Sequence, residues 1–409
     1  MSNKNLIEAV ANELISTIEL ALGEAGMKKP LPLHVPFLDH RASDAVLSTL
    51  QSGFVSSVGP AVGEFERRVE SFTGVKHCVS TSSGTSALQL ALKVHGVAAG
   101  DHVAVPALSF IATANAVSLL GAVPVFVDSM KLHNSSSLGL SVESLQALLE
   151  NYVRTEEGPR HKETKARLSA VVPMHTFGRL TDLRELKDVA LDWGIQVVED
   201  AAEAIGSFWK DKSHPGKSSS AILSFNGNKT ITTGGGGALL TNSEEIALKA
   251  RHLSTTAKVP HPWRFSHDAV GWNFRMPAIN AALGIGQMEA LPEILAAKED
   301  LYTAYEAAFQ EAQFFDFLEN PPNQNPNNWL IAIKLKHSDE SLLDNLLDQT
   351  NNEGIQCRPA WDLLSEQLPY NRNSSGSTAN ASEIRGSVIC LPSSPNLILK
   401  SQLGSLEGA

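Results

Sequence analysis

Short apolar runs alternate with helical stretches from residue 77 onward, and this alternation limits the possible folds more than any other feature of the sequence. The apolar runs lie at residues 77–80, 102–106, 123–127, 168–174 and 195–198, and helical patterns separate them at residues 86–93, 111–120 and 182–193. Such alternation indicates βαβ units, in which parallel strands present a ligand site at their carboxyl ends. We therefore predict an α/β fold around a mainly parallel sheet.

Patterns on either side of this region predict two smaller parts of the chain. Apolar residues recur at every fourth position from Leu6 to Ile18, which indicates an amphipathic N-terminal helix. A long helical pattern at residues 276–297 is followed by strand and helix patterns typical of a small α+β domain. We predict a helical extension at residues 1–30, a large domain at 31–285 and a small domain at 286–409.

Composition excludes several classes of partner. The net charge of −11 and the pI near 5.6 argue against nucleic acid or an anionic membrane, because both require a basic surface. Cys78, Cys357 and Cys390 are scattered without metal-ligand spacing, which suggests a reducing compartment. The first residues lack the segments of a secretory signal, and no apolar run is long enough to span a bilayer. We expect a cytoplasmic protein without a bound metal.

Polar residues follow three of the predicted strands. The run Ser-Ser-Gly-Thr-Ser at residues 82–86 precedes a helix, and the free N–H groups of a helix start bind phosphate. Asp200 follows the run at 195–198, and Lys229 follows the apolar run 221–225 and the turn signal Asn-Gly-Asn. Each feature also has a plainer explanation, namely a helix cap for the first two and a surface lysine in a glycine-rich hairpin for the third.

One cofactor would account for all three features. Pyridoxal phosphate requires a lysine for its Schiff base, a carboxylate for its pyridinium nitrogen and donors for its phosphate. The carboxyl ends of parallel strands meet at one edge of a sheet, so the three features would lie close together. The sequence therefore predicts a pyridoxal phosphate site at this edge.

Several motifs in a fixed order carry a resemblance to a known family. They are GTSAL at 84–88, GD-V-VPA-SF-ATANA at 100–116, GA-PVFVD at 121–128, VEDAAEAIGS at 198–207, SFNGNKTITTGGGG at 224–237 and G-N-RM at 271–276. This order is similar to that of the DegT/StrS nucleotide-sugar aminotransferases. The resemblance covers about residues 32–290 and implies the fold-type-I pyridoxal phosphate architecture, with a large, mainly parallel seven-stranded sheet. The segments at 54–66 and 357–361 look most like the branch on the way to legionaminic acid.

The resemblance implies roles for individual residues of the cofactor site. Lys229 matches the Schiff-base lysine, Asp200 the partner of the pyridinium nitrogen, and Phe110 the aromatic residue that stacks on the ring. The matched phosphate ligands are Gly84, Thr85 and Ser224. Glu203 departs from the glutamine or histidine that many members place opposite the phenolic oxygen of the cofactor. An ionised Glu203 would repel that oxygen unless the carboxyl is protonated or turned away.

Other matched positions concern assembly and substrate. Asn273 matches an asparagine that reaches the phosphate of the neighbouring subunit's cofactor, which implies a homodimer with composite active sites. His175 matches a position near the site, although a structural role fits it equally well. Arg275 and Arg358 are candidate contacts for an anionic substrate, and each could instead form a surface salt bridge.

We therefore predict an aminotransferase for bacterial surface polysaccharide or glycan biosynthesis. It would pass an amino group, from L-glutamate as in the family, to the C4 keto group of a 4-keto-6-deoxy nucleotide sugar. A sugar dehydratase on the same fold is one alternative, but it would carry histidine in place of Lys229. A non-catalytic regulatory or binding protein is the other alternative, and binding of pyridoxal phosphate as a Schiff base would argue against it. The sequence does not specify the nucleotide or the stereochemistry of the sugar.

Overall fold

A computed structural model describes residues 3–26, 28–133, 137–217, 220–337, 340–373 and 376–399. Residues 1–2 and 27 of the predicted extension and 400–409 of the predicted small domain lie outside the described residues. In chain order the strands are β1 (His77–Thr81), β2 (His102–Pro106), β3 (Val123–Val127), β4 (Tyr152–Val153), β5 (Arg160–His161), β6 (Leu168–Val171), β7 (Gln196–Asp200), β8 (Phe208–Trp209), β9 (Ser220–Ser224), β10 (Gly237–Thr241), β11 (Phe315–Phe317), β12 (Gln324–Asn325), β13 (Ala332–Leu335), β14 (Arg358–Pro359) and β15 (Val388–Cys390).

Helices flank these strands along the whole described chain. In chain order they are α1 (Asn3–Gly26), α2 (His40–Ser52), α3 (Pro60–Thr73), α4 (Gly84–Val94), α5 (Ala112–Ser118), α6 (Val142–Leu149), α7 (Arg184–Trp193), α8 (Glu244–Ser254), α9 (Ala278–Phe309), α10 (Glu340–Asn352) and α11 (Ala379–Ser387), with 3₁₀ turns at Thr176–Gly178, Leu364–Glu366 and Pro395–Leu397. Local chemistry sets several ends: Asp39 caps the start of α2 and the left-handed Gly53 ends it, while Pro60 occupies the first turn of α3.

Seven strands form one sheet in the order β1-β10-β9-β7-β6-β2-β3. The pairs β2–β3, β2–β6, β6–β7 and β7–β9 are parallel, whereas β10 runs antiparallel to both β9 and β1. The predicted α/β fold with a mainly parallel sheet is therefore confirmed. The carboxyl ends of β1, β2, β6, β7 and β9 lie at one edge of the sheet, where a ligand site is expected.

Helices cover both faces of this sheet because successive side chains of a strand point to opposite faces. Ile222 of β9 belongs to a core that includes residues of α4, α5 and α8. Its neighbours Ala221 and Leu223 belong to a core on the other face, with residues of α3 and α9. Since both faces are buried, the strands read as nearly continuous apolar runs, and the sequence located them well.

The sequence analysis assigned no strand to β10. This strand pairs antiparallel with β9, with Gly237 opposite Ser224, so the two strands form a hairpin whose long loop, residues 225–236, carries Lys229. Four glycines directly before Ala238 weaken any strand pattern. Pairing on both sides, with β9 and with β1, supplies the stabilisation that local propensity lacks.

A second sheet of four strands, in the order β11-β13-β15-β14, lies in the C-terminal part of the chain. The predicted boundary at residues 285 and 286 falls inside α9, which continues without interruption to Phe309. The side chains of α1 pack in one core with α9, α10 and this second sheet. The division of the chain into three domains stays a prediction.

Lys298 of α9 holds a segment of the C-terminal part against the long helix. Its side chain is completely buried, and Nζ donates to the carbonyls of Asn328, Trp329 and Ser393 at 3.1, 3.2 and 2.8 Å. Burial lowers the pKa of Lys298 to about 7. The three carbonyls match the three N–H groups of an ammonium, so the protonated form satisfies them all.

We expect Lys298→Met to lower the free energy of unfolding by about 3–5 kcal/mol, because it leaves three buried carbonyls without a donor. Urea unfolding measures this change. Lys249→Met is the matched control: exposed Lys249 donates to a single backbone carbonyl, that of Val94, and the loss should be below about 1 kcal/mol. A similar small loss for Lys298→Met would contradict the structural role.

Candidate active site

A cavity of about 820 Å³ opens at the carboxyl edge of the large sheet. Its walls come from the loops after β1, β2, β7 and β9 and from C-terminal segments that include Trp329 and residues 356–362. The predicted site residues among its lining are Gly84, Thr85, Phe110, Asp200, Glu203, Ser224, Lys229 and Arg358. His175, Asn273 and Arg275 are not among the lining residues.

One end of the cavity is formed by a helix start and by residues with hydroxyl groups. Helix α4 begins at Gly84, where Ser83 caps the helix by accepting a hydrogen bond from the Ser86 N–H at 3.0 Å. The first N–H groups of a helix have no intrahelical acceptor, and the helix dipole adds positive potential there. A Cβ at Gly84 would lie 2.8 Å from the Cβ of Ser224, so glycine is required for this close approach of α4 to the end of β9. The hydroxyl groups of Thr85 and Ser224 line the same end.

Asp200 lies at the base of the cavity, at the end of β7. Its carboxylate is buried and accepts hydrogen bonds from the Thr113 hydroxyl at 2.7 Å and from the Ala202 N–H at 3.2 Å. In the described chain the next α-helix begins at Glu244, so Asp200 does not cap a helix. A buried carboxylate with donors on two sides is held in one orientation, and Thr113 is the part of this arrangement that the sequence analysis missed.

Lys229 enters the cavity from the loop after β9. The Lys229 N–H donates to the Asn226 carbonyl at 3.0 Å, which closes a turn, and the side chain is only 12% exposed. Its Nζ donates to Glu203 Oε1 at 3.1 Å and lies 4.1 Å from the centre of the Trp329 ring. The lysine does lie in a glycine-rich hairpin loop, but its amine points into the protein between a carboxyl group and an aromatic face.

Glu203 is buried between two elements that fix both of its oxygens. Oε1 accepts from Lys229, and Oε2 accepts from the Phe177 N–H at 2.9 Å. Phe177 adopts a left-handed conformation with φ 58°, and Gly178 follows with φ 88°, where a Cβ would lie 1.9 Å from Asn327 Oδ1. Burial raises the pKa of Glu203 to about 7, opposed by Lys229 and the Phe177 N–H and slightly reinforced by the negative charge of Asp200.

His175 lies outside the cavity lining and forms hydrogen bonds within the protein. Its ring is fully buried, and Nδ1 accepts a hydrogen bond from the Thr181 N–H at 3.1 Å. The other nitrogen, Nε2, therefore carries the proton and donates to Glu199 Oε2 at 3.1 Å. These two contacts occupy both nitrogens, so the structure places His175 away from any ligand in the cavity.

The remaining polar candidates lie at two different places. Arg358 on β14 is exposed at the cavity wall, where its guanidinium donates to the Asn351 side chain and the Cys357 carbonyl. Arg275 and Asn273 lie together outside the lining, with Arg275 Nε donating to Asn273 Oδ1 at 3.1 Å. Asn273 is exposed on the loop before α9.

Trp329 is a second cavity residue that sequence reasoning missed. Its indole Nε1 donates to the Asn228 carbonyl at 2.8 Å, directly before Lys229. Asn327 anchors the same segment, since its Nδ2 donates to the carbonyls of Glu203 and Ile205, each at 2.8 Å. No local pattern in this part of the chain tells which residues reach a distant site.

The described residues show neither a metal centre nor a membrane-spanning helix. Within the described ranges, no three His, Cys, Asp or Glu side chains come together as ligands of a metal ion would. None of the described helices combines the length and the apolar character needed to cross a membrane. The three cysteines are buried and unpaired with one another.

The cavity fits the pyridoxal phosphate predicted from the sequence. Gly84, Thr85 and Ser224 form an end suited to the phosphate, and Asp200 provides a buried carboxylate for the ring nitrogen. Lys229 provides a primary amine, and the ring of Phe110, which is 52% exposed, is free to stack on an aromatic ligand. Each chemical demand of the cofactor therefore meets a residue of the matching kind.

Comparisons with known proteins agree with this geometry. The DegT/DnrJ/EryC1/StrS aminotransferase family model matches residues 36–403. A GDP-perosamine synthase of Caulobacter vibrioides is 34% identical over 338 residues, 82% of this chain and 85% of the relative. A UDP-4-amino-4-deoxy-L-arabinose–oxoglutarate aminotransferase of Shewanella sediminis is 30% identical over 316 residues, 74% and 75% of the two chains. The Helicobacter pylori aminotransferase PseC, involved in the biosynthesis of pseudoaminic acid, shares the fold with TM-score 0.80 at 24% identity, covering 91% of this chain and 96% of that chain.

These findings confirm the resemblance drawn from the motifs. They also confirm that the chain is an enzyme that aminates nucleotide sugars and that its cofactor is pyridoxal phosphate. The branch toward legionaminic acid stays a prediction.

We expect Glu203→Gln to remove a pH dependence of stability from the cofactor-free protein. Because the pKa of Glu203 rises from its ordinary 4.5 to about 7 on folding, the folded state binds more protons than the unfolded state between these values. The wild-type free energy of unfolding should therefore fall, relative to that of the variant, by about 3 kcal/mol as the pH rises through this window. Urea unfolding of both proteins at pH values of about 5 and 8 tests this. A difference that is the same at both pH values would contradict it.

Proposed function

The chain belongs to the DegT/DnrJ/EryC1/StrS aminotransferase family, and we propose that it transfers the amino group of L-glutamate to the C4 keto group of a 4-keto-6-deoxy nucleotide sugar. The observation that carries the proposal is the buried amine of Lys229, 3.1 Å from Glu203, in a cavity that also holds Asp200 and the start of α4. Glutamate as donor is supported by the name of the Shewanella relative, which pairs its amino sugar with oxoglutarate. The amination of C4 is supported by the same name.

Five residues of the chain's own cavity would hold the cofactor non-covalently. Gly84, Thr85 and Ser224 would bind its phosphate, Asp200 would hold a proton on its ring nitrogen, and Phe110 would cover one face of the ring. When bound, pyridoxal phosphate supplies an electron sink for the charge that develops at the reacting carbon of the substrate. A charge-assisted hydrogen bond such as that from the ring N–H to Asp200 contributes about 1.5–3 kcal/mol.

Lys229 moves the proton at the reacting carbon. Its amine must be neutral to accept that proton, and Glu203 is the group placed to receive the extra proton from Lys229 Nζ. Because the pKa of Glu203 is raised to about 7, the carboxyl can both take up and return a proton near neutral pH. A protonated Glu203 would also avoid the repulsion that the sequence analysis expects between an ionised Glu203 and the phenolic oxygen of the cofactor. Its hydroxyl could donate a hydrogen bond to that oxygen.

Trp329 limits the motion of the lysine and shields it from water. The aromatic face lies 4.1 Å from Lys229 Nζ, and a cation over a ring is stabilised by about 0.5–2 kcal/mol. The indole itself is fixed by the Asn228 carbonyl and by the segment that Lys298 anchors. The proton-moving amine is therefore held within a narrow range of positions.

Arg358 is the candidate for binding the diphosphate of the nucleotide sugar. It lies at the exposed side of the cavity and carries a guanidinium, whose planar donors match phosphate oxygens. The nucleotide stays open, because the two relatives named above carry GDP and UDP in their names. We place the enzyme in the cytoplasm, where nucleotide sugars would be supplied.

We further propose a homodimer with composite active sites. The loop between α2 and α3 and the loop between α8 and α9 expose large apolar side chains. The Ser56 carbonyl of the first loop accepts a hydrogen bond from the Ala278 N–H, at the end of the second loop, at 2.7 Å. The exposed fractions are 54% for Phe54, 65% for Val58, 75% for Trp263, 81% for Phe265 and 89% for Val270. Apolar surface of this kind is typical of an interface between subunits. Asn273 lies on the same group of loops and outside its own cavity, as expected for a residue that reaches a neighbour.

Assay of a panel of GDP-, UDP- and dTDP-linked 4-keto-6-deoxy sugars with L-glutamate should identify at least one acceptor. Mass spectrometry of the amino sugar and an enzymatic assay of 2-oxoglutarate should give equal amounts of both products. Lys229→Ala is the control and should lose at least about a thousandfold in kcat, because no other group replaces its amine. Turnover of none of these sugars, while glutamate still aminates the cofactor, would contradict the proposed acceptor.

Mixed dimers test the composite site. Lys229→Ala and Asn273→Ala chains should each be strongly impaired alone, and co-refolding should restore activity toward a quarter of wild type. Recovery follows because half of the dimers are mixed and each of these contains one site with both residues intact. Mixing Lys229→Ala with Asp200→Asn is the matched control, since both residues belong to the same chain's cavity and every site keeps a defect. Recovery no greater than in this control would show that Asn273 does not act on the neighbouring site.

A further inference from the structure

His34 lies in the segment between α1 and α2, which runs along the C-terminal part of the chain. The Leu31 N–H donates to the Gly354 carbonyl at 2.7 Å, and the Leu33 N–H donates to Gln356 Oε1 at 3.3 Å. The Val35 N–H donates to Ser394 Oγ at 2.9 Å. Contacts on both sides of His34 therefore fix its backbone and place the imidazole in the wall of the active-site cavity.

The imidazole of His34 is buried without a partner. The residue is 8% exposed, and among the described residues neither Nδ1 nor Nε2 has a hydrogen-bond partner. The Asn228 carbonyl lies near the ring and accepts a hydrogen bond from Trp329 Nε1. Buried polar groups are nearly always hydrogen-bonded, so two unpaired nitrogens in a side chain that lines the cavity indicate that a ligand completes them.

The charge of His34 narrows the chemistry of that ligand. Burial lowers the pKa of His34, and the positive charges of Lys298 and Lys229 lower it further, so the ring stays neutral. A neutral imidazole presents one N–H donor and one lone pair. A carboxylate can only accept, and it would leave the lone pair unmatched. Hydroxyl groups can both donate and accept, so a sugar ring satisfies both nitrogens and the carboxylate of an amino acid does not.

We propose that His34 binds hydroxyl groups of the sugar ring in the acceptor substrate and thereby helps to select a sugar. This assignment rests on the proposed function, because it requires a keto sugar in the cavity. His34 belongs to the part of the cavity wall that the N-terminal segment forms, and it is separate from the residues that would hold the cofactor.

Thermal unfolding of the cofactor-loaded enzyme without substrate tests whether the buried imidazole of His34 lacks a hydrogen-bond partner. His34→Leu replaces the unpaired imidazole by an apolar group of similar size, so Tm should rise by about 1–3 °C. His214→Leu is the matched control: His214 is also buried with an unpartnered Nε2, but its Nδ1 donates to the Pro215 carbonyl at 2.8 Å and it does not line the cavity. Its Tm should fall. A fall for His34→Leu as well would show a structural role and overturn the proposal.

Separate measurement of the two half-reactions tests whether His34 contacts the keto sugar. Single turnovers followed by the absorbance of the bound cofactor measure amination by L-glutamate and, separately, reaction with the keto sugar accepted from the panel. His34→Leu should reduce kcat/KM for the keto sugar roughly 10- to 100-fold while slowing the glutamate reaction less than about threefold. His34→Gln, whose amide keeps a donor and an acceptor, should recover part of the loss.

The outcomes separate this inference from the proposed function. Unchanged kinetics with the keto sugar in His34→Leu would overturn the inference and leave the proposed function standing. A larger loss with glutamate than with the keto sugar would assign His34 to the donor and overturn the sugar contact. If the wild-type enzyme reacts with glutamate but with no keto sugar, the proposed acceptor is wrong and the contact with it falls too.

Discussion

The ion pair between Lys229 Nζ and Glu203 Oε1 is the interaction around which the site is organised. It joins the loop after β9 to the loop after β7, and the parallel pairing of these two strands brings the two loops to the same edge of the sheet. Both partners are largely buried, so removing either one would leave an uncompensated charge, unless the carboxyl took up a proton. Burial therefore makes the protonation of Glu203 depend on its lysine, and the proton transfer that we propose for this site uses that coupling.

Contacts from the C-terminal part of the chain keep this pair in place. Asn327 binds the backbone on both sides of Ala204 and Trp329 covers the lysine, while Lys298 holds the carbonyls of this same segment from α9. The second oxygen of Glu203 is held by Phe177, whose left-handed conformation is followed by a glycine packed against Asn327. The wall opposite the sheet is thus held together by contacts to backbone groups. It fixes the position of the Lys229 amine.

Much of the fold and part of the site could be predicted from local patterns. The strand boundaries at 102–106 and 123–127 were predicted correctly because both strands are buried on both faces and read as continuous apolar runs. The polar residues at or after the ends of β1, β7 and β9 stood out against the apolar runs before them. Strand β10 was missed because four glycines mask it. The position of His175 was not predictable either, because a histidine after a strand can point toward the cavity or behind it, and only Thr181 and Glu199 decide which.

The sequence by itself determined the alternation of strands and helices, the placement of Asp200 and Lys229 at strand ends, and the glycine at the start of α4. These features depend on interactions within a few residues, which the order of side chains specifies directly. Only the tertiary structure decided that Glu203 faces Lys229, that Trp329 covers the amine and that His34 reaches the same cavity from the N-terminal segment. Such contacts join residues separated by many positions in the chain, and their geometry follows from the packing of whole elements, which no local pattern encodes.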